Sequence, residues 1–375
     1  MRRSFRTSRH LHRGFSTGGA GIRSVRLGIL GAGRIGRVHA ASLSRLGADL
    51  RWVSDPKPHA VSQVAHQYSI PNWTTDSNEL IAASDVDAVV ICSPTPRHAE
   101  QIVAAARHGK HIFCEKPVDL SLDIVNHAIA EVERAGVKMM VGFNRRFDAN
   151  FQRIRQAIVS GEIGTVTMVR ITSRDPSPPP IEYVQASGGM FKDMTIHDFD
   201  MARFLVGDDV DEVYAMTQSR HAEIAAVGDI DTAVCLLKFK SGVIAYIENS
   251  RDAAYGYDQR VEVLGSLGSV SCDNVFSNNV VVSTRDSVRR DLPLHFFLER
   301  YMDAVRRDLP LHFFLERYMD AYVSEMESFL RVVSGSSDEE MPVGGVDGRE
   351  ALLLAVAAEK SRLENRPIKL NEFHH

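Results

Sequence analysis

The chain has 375 residues, a net charge of −4, and 25% charged and 44% hydrophobic residues. At about 150 residues per domain this predicts two domains, and the balance excludes disordered, collagen-like and disulfide-rich secreted classes. The negative charge speaks against a nucleic-acid partner, and no run approaches the roughly 18 apolar residues of a membrane span.

Residues 1–23 read as a leader outside the fold. Arg2, Arg3, Arg6, Arg9, Arg13 and Arg23 precede any acidic residue, the first of which is Asp49. Arg-rich, Ser-containing and acid-free composition predicts a transit peptide and a mitochondrial address, with a cytoplasmic one as the alternative. Arg13-Gly14-Phe15-Ser16 also resembles a matrix-protease cleavage site.

From Val25 to Phe143, apolar runs at Val25–Leu30, Leu50–Val53, Ala88–Cys92, His111–Cys114 and Lys138–Phe143 alternate with helix-like stretches. The stretches are Ile35–Leu46, His98–His108 and Leu122–Ala135. This alternation predicts an α/β domain over residues 24–145, a doubly wound parallel sheet covered on both faces. Beyond it, Val166–Ser173, Glu212–Ser219, Thr232–Phe239, Val243–Asn249 and Arg260–Gly265 predict strands. Tight Gly-containing turns such as Lys240-Ser241-Gly242 make that second, α+β domain, residues 146–375, mostly antiparallel. A last helix near Gly348–Glu364 has a broad apolar face, and either domain is open as its partner. Cys92, Cys114, Cys235 and Cys272 form no CxxC pair or metal-ligand spacing.

Within the second domain, Val288–Ala304 is repeated identically as Val305–Ala321. Two copies do not make a solenoid, and Pro293 and Pro310 interrupt any continuous helix through both. The repeat reads as an insertion and not as a site.

Gly31-Ala32-Gly33-Arg34-Ile35-Gly36 follows the first apolar run and opens a helical stretch. In that setting the pattern predicts a Rossmann dinucleotide turn. Gly31 permits the turn, Gly33 lets a pyrophosphate approach the backbone, and Gly36 allows helix-on-strand packing. The helix N-terminus supplies N–H groups to the phosphates. Asp55, directly after the second run, accepts ribose hydroxyls and repels a 2′-phosphate, which favours NAD over NADP. Lys57 softens that preference.

Further on, Asp193, His197 and Asp200 are spaced four and three apart in a helix-like segment, which puts them on one face. A neutral His takes a hydroxyl proton as hydride leaves the same carbon, with a carboxylate to fix its tautomer. Lys116, between an apolar run and Pro117, places an ammonium on the developing alkoxide. Alternatives are a metal site at the Asp–His–Asp set, a core role for His197, and a packing role for Tyr257. No metal is expected.

Five segments together resemble the glucose–fructose oxidoreductase/inositol dehydrogenase/MocA superfamily. They are GILGAGRIGRVHA (28–40), ICSPTPRHAEQI (91–102), CEKPV (114–118), GFNRRFD (142–148) and SGGMFKDMTIHDFDMARFLVG (187–207). SRDPSPPPIEY (173–183) and YGYDQR (255–260) draw the resemblance toward its inositol dehydrogenase branch. The resemblance implies a Rossmann domain followed by a domain whose open sheet assembles a dimer or tetramer. It implies NAD-dependent oxidation of a cyclic polyol, myo-inositol first. Scyllo-inositol, an aldose, or a non-catalytic nucleotide-binding regulator are the alternatives. It makes Lys116, Asp193 and His197 the catalytic trio, and Arg146, Asp200 and Tyr257 further polyol contacts. It assigns Arg34, Ile35, Ser93, Thr95, His98 and Glu115 to the cofactor, beside Gly31, Gly33, Gly36 and Asp55.

Overall fold

Strands that are apolar on both faces assemble where helices can cover both sides. In the computed structural model, which describes residues 25–274, 281–283, 288–290, 313–335 and 340–373, the first apolar runs do this. The strands are β1 (Arg26–Leu30), β2 (Asp49–Ser54), β3 (Asn72–Thr74), β4 (Ala88–Ile91), β5 (His111–Glu115) and β6 (Met139–Gly142). They form a parallel sheet in the order β3-β2-β1-β4-β5-β6. Between them run α1 (Arg34–Arg45), α2 (Pro58–Gln67), α3 (Ser77–Ala82), α4 (His98–Arg107) and α5 (Leu122–Ala135). The order reverses between β1 and β4, the place where doubly wound sheets open a ligand crevice. The predicted leader lies outside the described residues.

The second half begins with α6 (Ala149–Val159), β7 (Val166–Arg174) and α7 (Ile181–Ala186). A single π-helical turn, Phe191–Thr195, then runs into α8 (Ile196–Val206). After it come β8 (Val210–Gln218), α9 (Ala222–Ala226), β9 (Thr232–Phe239), β10 (Ile244–Ser250), β11 (Asp258–Gly265) and β12 (Ser269–Cys272). With β15 (Ile368–Lys369) they form a seven-stranded sheet, ordered β12-β11-β7-β10-β9-β8-β15. Only its β7–β10 pair is parallel. Val169, Ile171, Ala245, Ile247, Val261 and Val263 point into a core on one side. Met168, Met216, Leu236, Ile244 and Leu264 stand exposed on strands of the same sheet. A short hairpin joins β13 (Val281–Ser283) to β14 (Val288–Arg290).

The last two helices are α10 (Phe313–Val333) and α11 (Gly345–Glu364). Met326 and Phe329 of α10, with Ala351 and Leu352 of α11, complete the nucleotide-domain core. Leu353, Leu354, Ala357 and Ala358 of α11 belong to the second core. The buried residues of α11 divide between the two cores, so this helix serves both domains at once. The described part of the second repeat copy, residues 313–321, lies in α10. Cys92, Cys114 and Cys235 are buried and all four cysteines are free thiols. No helix among the described residues is long and apolar enough to cross a membrane.

Candidate active site

The glycine turn after β1 is shaped by backbone crowding. Gly31 takes φ +107°, and a Cβ there would lie 2.7 Å from the Cys92 carbonyl oxygen. A Cβ on Gly36 would come within 1.9 Å of the Gly31 oxygen. Gly33 differs, because no protein atom lies within 4 Å of where its Cβ would be. It is also the N-cap of α1, where no side chain caps the helix and no acidic residue occupies the first turn. Open space over uncapped helix amides fits a dinucleotide pyrophosphate. Asp55 accepts from the Ala32 amide (2.9 Å) and the Lys57 amide (2.9 Å), so it also braces the turn that it flanks.

The remaining residues expected at the cofactor divide. Arg34 lays its guanidinium over the Phe314 ring at 5.0 Å, and Ile35 packs between the two cores. Ser93 donates to Gln101 at 2.6 Å, and half-buried Thr95 opens a 3₁₀ turn on the β4 side of the crevice. His98 opens α4. Its ring is buried and places its nitrogens 2.8 Å from the Pro117 oxygen and 2.7 Å from the Ser93 oxygen. Burial lowers its pKa and favours the neutral ring, which donates to one of these two carbonyls. Glu115 likewise turns inward, 2.6 Å from His39 Nε2 of α1.

Lys116, directly after β5, crosses to the second domain. Its Nζ donates to the Asp193 carbonyl (2.7 Å) and to Asp193 Oδ1 (3.3 Å). Tyr183 of α7 donates its hydroxyl to the same Oδ1 at 2.9 Å, and Arg251 reaches Oδ2 at 3.3 Å. The Asp193 carboxylate therefore faces Lys116, Tyr183 and Arg251; no hydrogen bond joins it to His197, as an orienting role would need. His197 lies edge-on to Phe143 at 6.0 Å, with Nδ1 buried and unpartnered among the described residues. Burial pushes its pKa well below the usual imidazole value, and the Lys116 and Arg145 cations push the same way. His197 is thus neutral, the form able to accept a proton.

Arg146 and Asp200, both expected at the polyol, lie against each other. Arg146 grips Asp200 through Nε (2.9 Å) and an Nη (2.6 Å), and also reaches Asp347 and the Pro342 carbonyl. Both side chains are buried, so this is an internal ion pair. The π turn at Phe191–Thr195 departs from the regular 100° spacing assumed between Asp193 and Asp200.

Its neighbour Arg145 is equally buried and paired, but lies within electrostatic reach of His197. Arg145 donates to Asp198 (2.5 Å) and Ser173 (3.0 Å), and Asn249 completes the Asp198 carboxylate at 2.7 Å. Near Arg145 lie half-buried Tyr257 and Asp175, whose carboxyl is pushed up to about 7 by burial, with Asp193 adding to the rise. Sequence spacing singled out none of Arg145, Asp175, Tyr183 or Arg251, although three of the four stand inside segments that carried the resemblance. The repeat also reaches this region. Tyr318 of its second copy sits edge-on to Tyr257 at 6.4 Å, and Arg317 pairs with Asp148. Among the described residues, no three His, Cys, Asp or Glu side chains are grouped to hold a metal.

Comparison with known proteins adds likenesses of three kinds. Residues 25–143 match the family model for the oxidoreductase family with an NAD-binding Rossmann fold, and residues 151–271 match the GFO/IDH/MocA C-terminal domain. The chain is 44% identical over 350 residues to a myo-inositol 2-dehydrogenase of Thermotoga maritima, covering 93% of this chain and 99% of that one. It is 46% identical to an inositol 2-dehydrogenase of Rhizobium meliloti, covering 92% and 99%. A crystal structure of a probable dehydrogenase from Thermotoga maritima superposes with a TM-score of 0.86 at 44% identity, covering 93% and 100%.

Proposed function

The chain belongs to the GFO/IDH/MocA oxidoreductase family, and on that premise we propose that it is an NAD-dependent inositol 2-dehydrogenase, converting myo-inositol to its 2-ketone. The observation that carries the reading is the Lys116–Asp193 contact between the domains, with neutral His197 within electrostatic reach of Lys116. Gly31, Gly33, Gly36 and Asp55 would hold NAD in the crevice, where it would supply the hydride acceptor. His197 accepts the proton of the reacting hydroxyl. Lys116 stabilises the oxygen as negative charge builds on it. Asp193 holds the Lys116 ammonium in place, and Tyr183 holds Asp193. Arg145, Asp175 and Tyr257 offer the donors and acceptors that discriminate a polyol. The test is kcat/KM on myo-inositol, scyllo-inositol and glucose at fixed NAD. Myo-inositol should lead, and preference for an aldose overturns the reading.

Three finer points belong to the same proposal. Asp55 favours NAD over NADP, and Asp55→Ala narrows the preference; wild-type use of NADP as efficient as NAD would contradict this. The exposed apolar residues of the seven-stranded sheet support assembly of copies through that face, which sedimentation of wild type and Leu236→Glu checks. The acid-free, Arg-rich residues 1–24 support a mitochondrial leader. A fluorescent fusion that stays cytosolic would exclude it.

A further inference from the structure

Asp193 is held from behind by a buried arginine. Arg251, directly after β10, is 1% exposed. One Nη is 3.3 Å from Asp193 Oδ2 and the other 2.9 Å from Asp229 Oδ2. Asp229 in turn accepts the Met190 amide through Oδ1 at 3.0 Å. That oxygen would lie 2.8 Å from a Cβ on Gly189, which takes φ +84°. Asp229 thus grips the start of the π-helical segment and Arg251 grips the carboxylate that the segment carries. A planar guanidinium forked between two carboxylates fixes direction as well as charge.

We propose that Arg251 and Asp229 are positioning residues of the reaction: together they aim the Asp193 carboxylate at Lys116 and set the charge around it. The inference rests on the dehydrogenase reading above and adds two residues to it. The groups facing Asp193 are Lys116 after β5, Tyr183 of α7, Arg251 after β10 and Asp175 after β7. Asp229 faces Arg251, with Arg362 of α11 beyond it.

Arg251 and Asp229 carry opposite charges, so their removal moves the pH profile in opposite directions. In the full chain with NAD and myo-inositol, Arg251→Met should lower kcat at least tenfold. It should also move the acid limb of kcat/KM up by about one pH unit, because the cleft carboxylates lose a cation. Asp229→Asn should move the limb down. Arg251→Lys keeps the charge without the fork, so its limb stays near wild type while kcat remains reduced. NAD affinity should change less than twofold in all three, and thermal melts confirm folding. Limbs that move together, or that do not move, overturn the proposal. If Arg251→Met does not fold, the direction in Asp229→Asn decides alone, and an upward or absent shift overturns it. Wild-type turnover is the control: its absence sinks the dehydrogenase reading. The opposite shifts are then read from a carboxyl 13C titration of the aspartate-labelled chain with NAD, where parallel or absent shifts sink the positioning role.

Discussion

At the nucleotide crevice the working parts are backbone: helix amides, a turn at φ +107°, and glycines whose missing Cβ atoms make room. Around Asp193 they are side chains, arriving from the ends of β5 and β10, from α7 and from the π-helical turn. The crevice is built from residues 31–55, near one another in the chain. The cleft depends on partners 10, 58 and 77 positions from Asp193. A site made of backbone tolerates change in its neighbours and fails when a Cβ is added. A site made of convergent side chains keeps its fold and loses its chemistry when one member is cut.

The sharpest way to break this contrast is at the cleft. Lys116→Ala and His197→Ala should each lower kcat on myo-inositol by a factor on the order of 10²–10⁴. NAD affinity should stay within about twofold of wild type, because neither residue belongs to the glycine turn. Near-wild-type turnover in either variant would remove that residue from the mechanism. His197 adds a pH signature. Its folded pKa lies below the unfolded value of 6.5, so its contribution to stability is present above pH 6.5 and lost as pH falls. Melting temperatures of His197→Ala should therefore fall less steeply on acidification than those of wild type.

The second test separates the cleft from the internal pair that sequence spacing assigned to it. Asp200→Asn leaves Arg146 buried with a weakened partner, which should destabilise the fold by about 3–5 kcal/mol as a broken buried pair does. Asp347 keeps part of the charge balanced, so the lower end is expected. In folded protein kcat should stay within a fewfold of wild type. A variant of unchanged stability and abolished turnover would return Asp200 to the substrate.

The smallest effect is expected from the duplication. Since the copies are identical, excising 288–304 or 305–321 yields the same polypeptide, with one copy leading into Tyr322. Phe314, Arg317 and Tyr318 would all keep equivalents, so folding and activity should stay within about twofold of wild type. Loss of soluble protein would show that the chain needs the extra length between β14 and α10.

Local patterns were legible in the amino-acid order because they are enforced over a few residues. The Gly31–Gly36 turn, Asp55 after β2, and helix α5 at Leu122–Ala135 needed only steric and periodic rules, and the motif around Lys116 and His197 carried the family. The tertiary structure decided the rest. A π-helical turn, invisible to a fixed 3.6-residue period, carries Asp193, and Asp200 pairs with Arg146. Arg145 and Arg146 are adjacent and chemically identical, so no sequence rule tells their partners apart; the fold gives Asp198 to one and Asp200 to the other. Arg251 met Asp193 across 58 positions. Helix α11 closed both cores because the packing of whole domains, and not its own order of residues, determined which surfaces were left to cover.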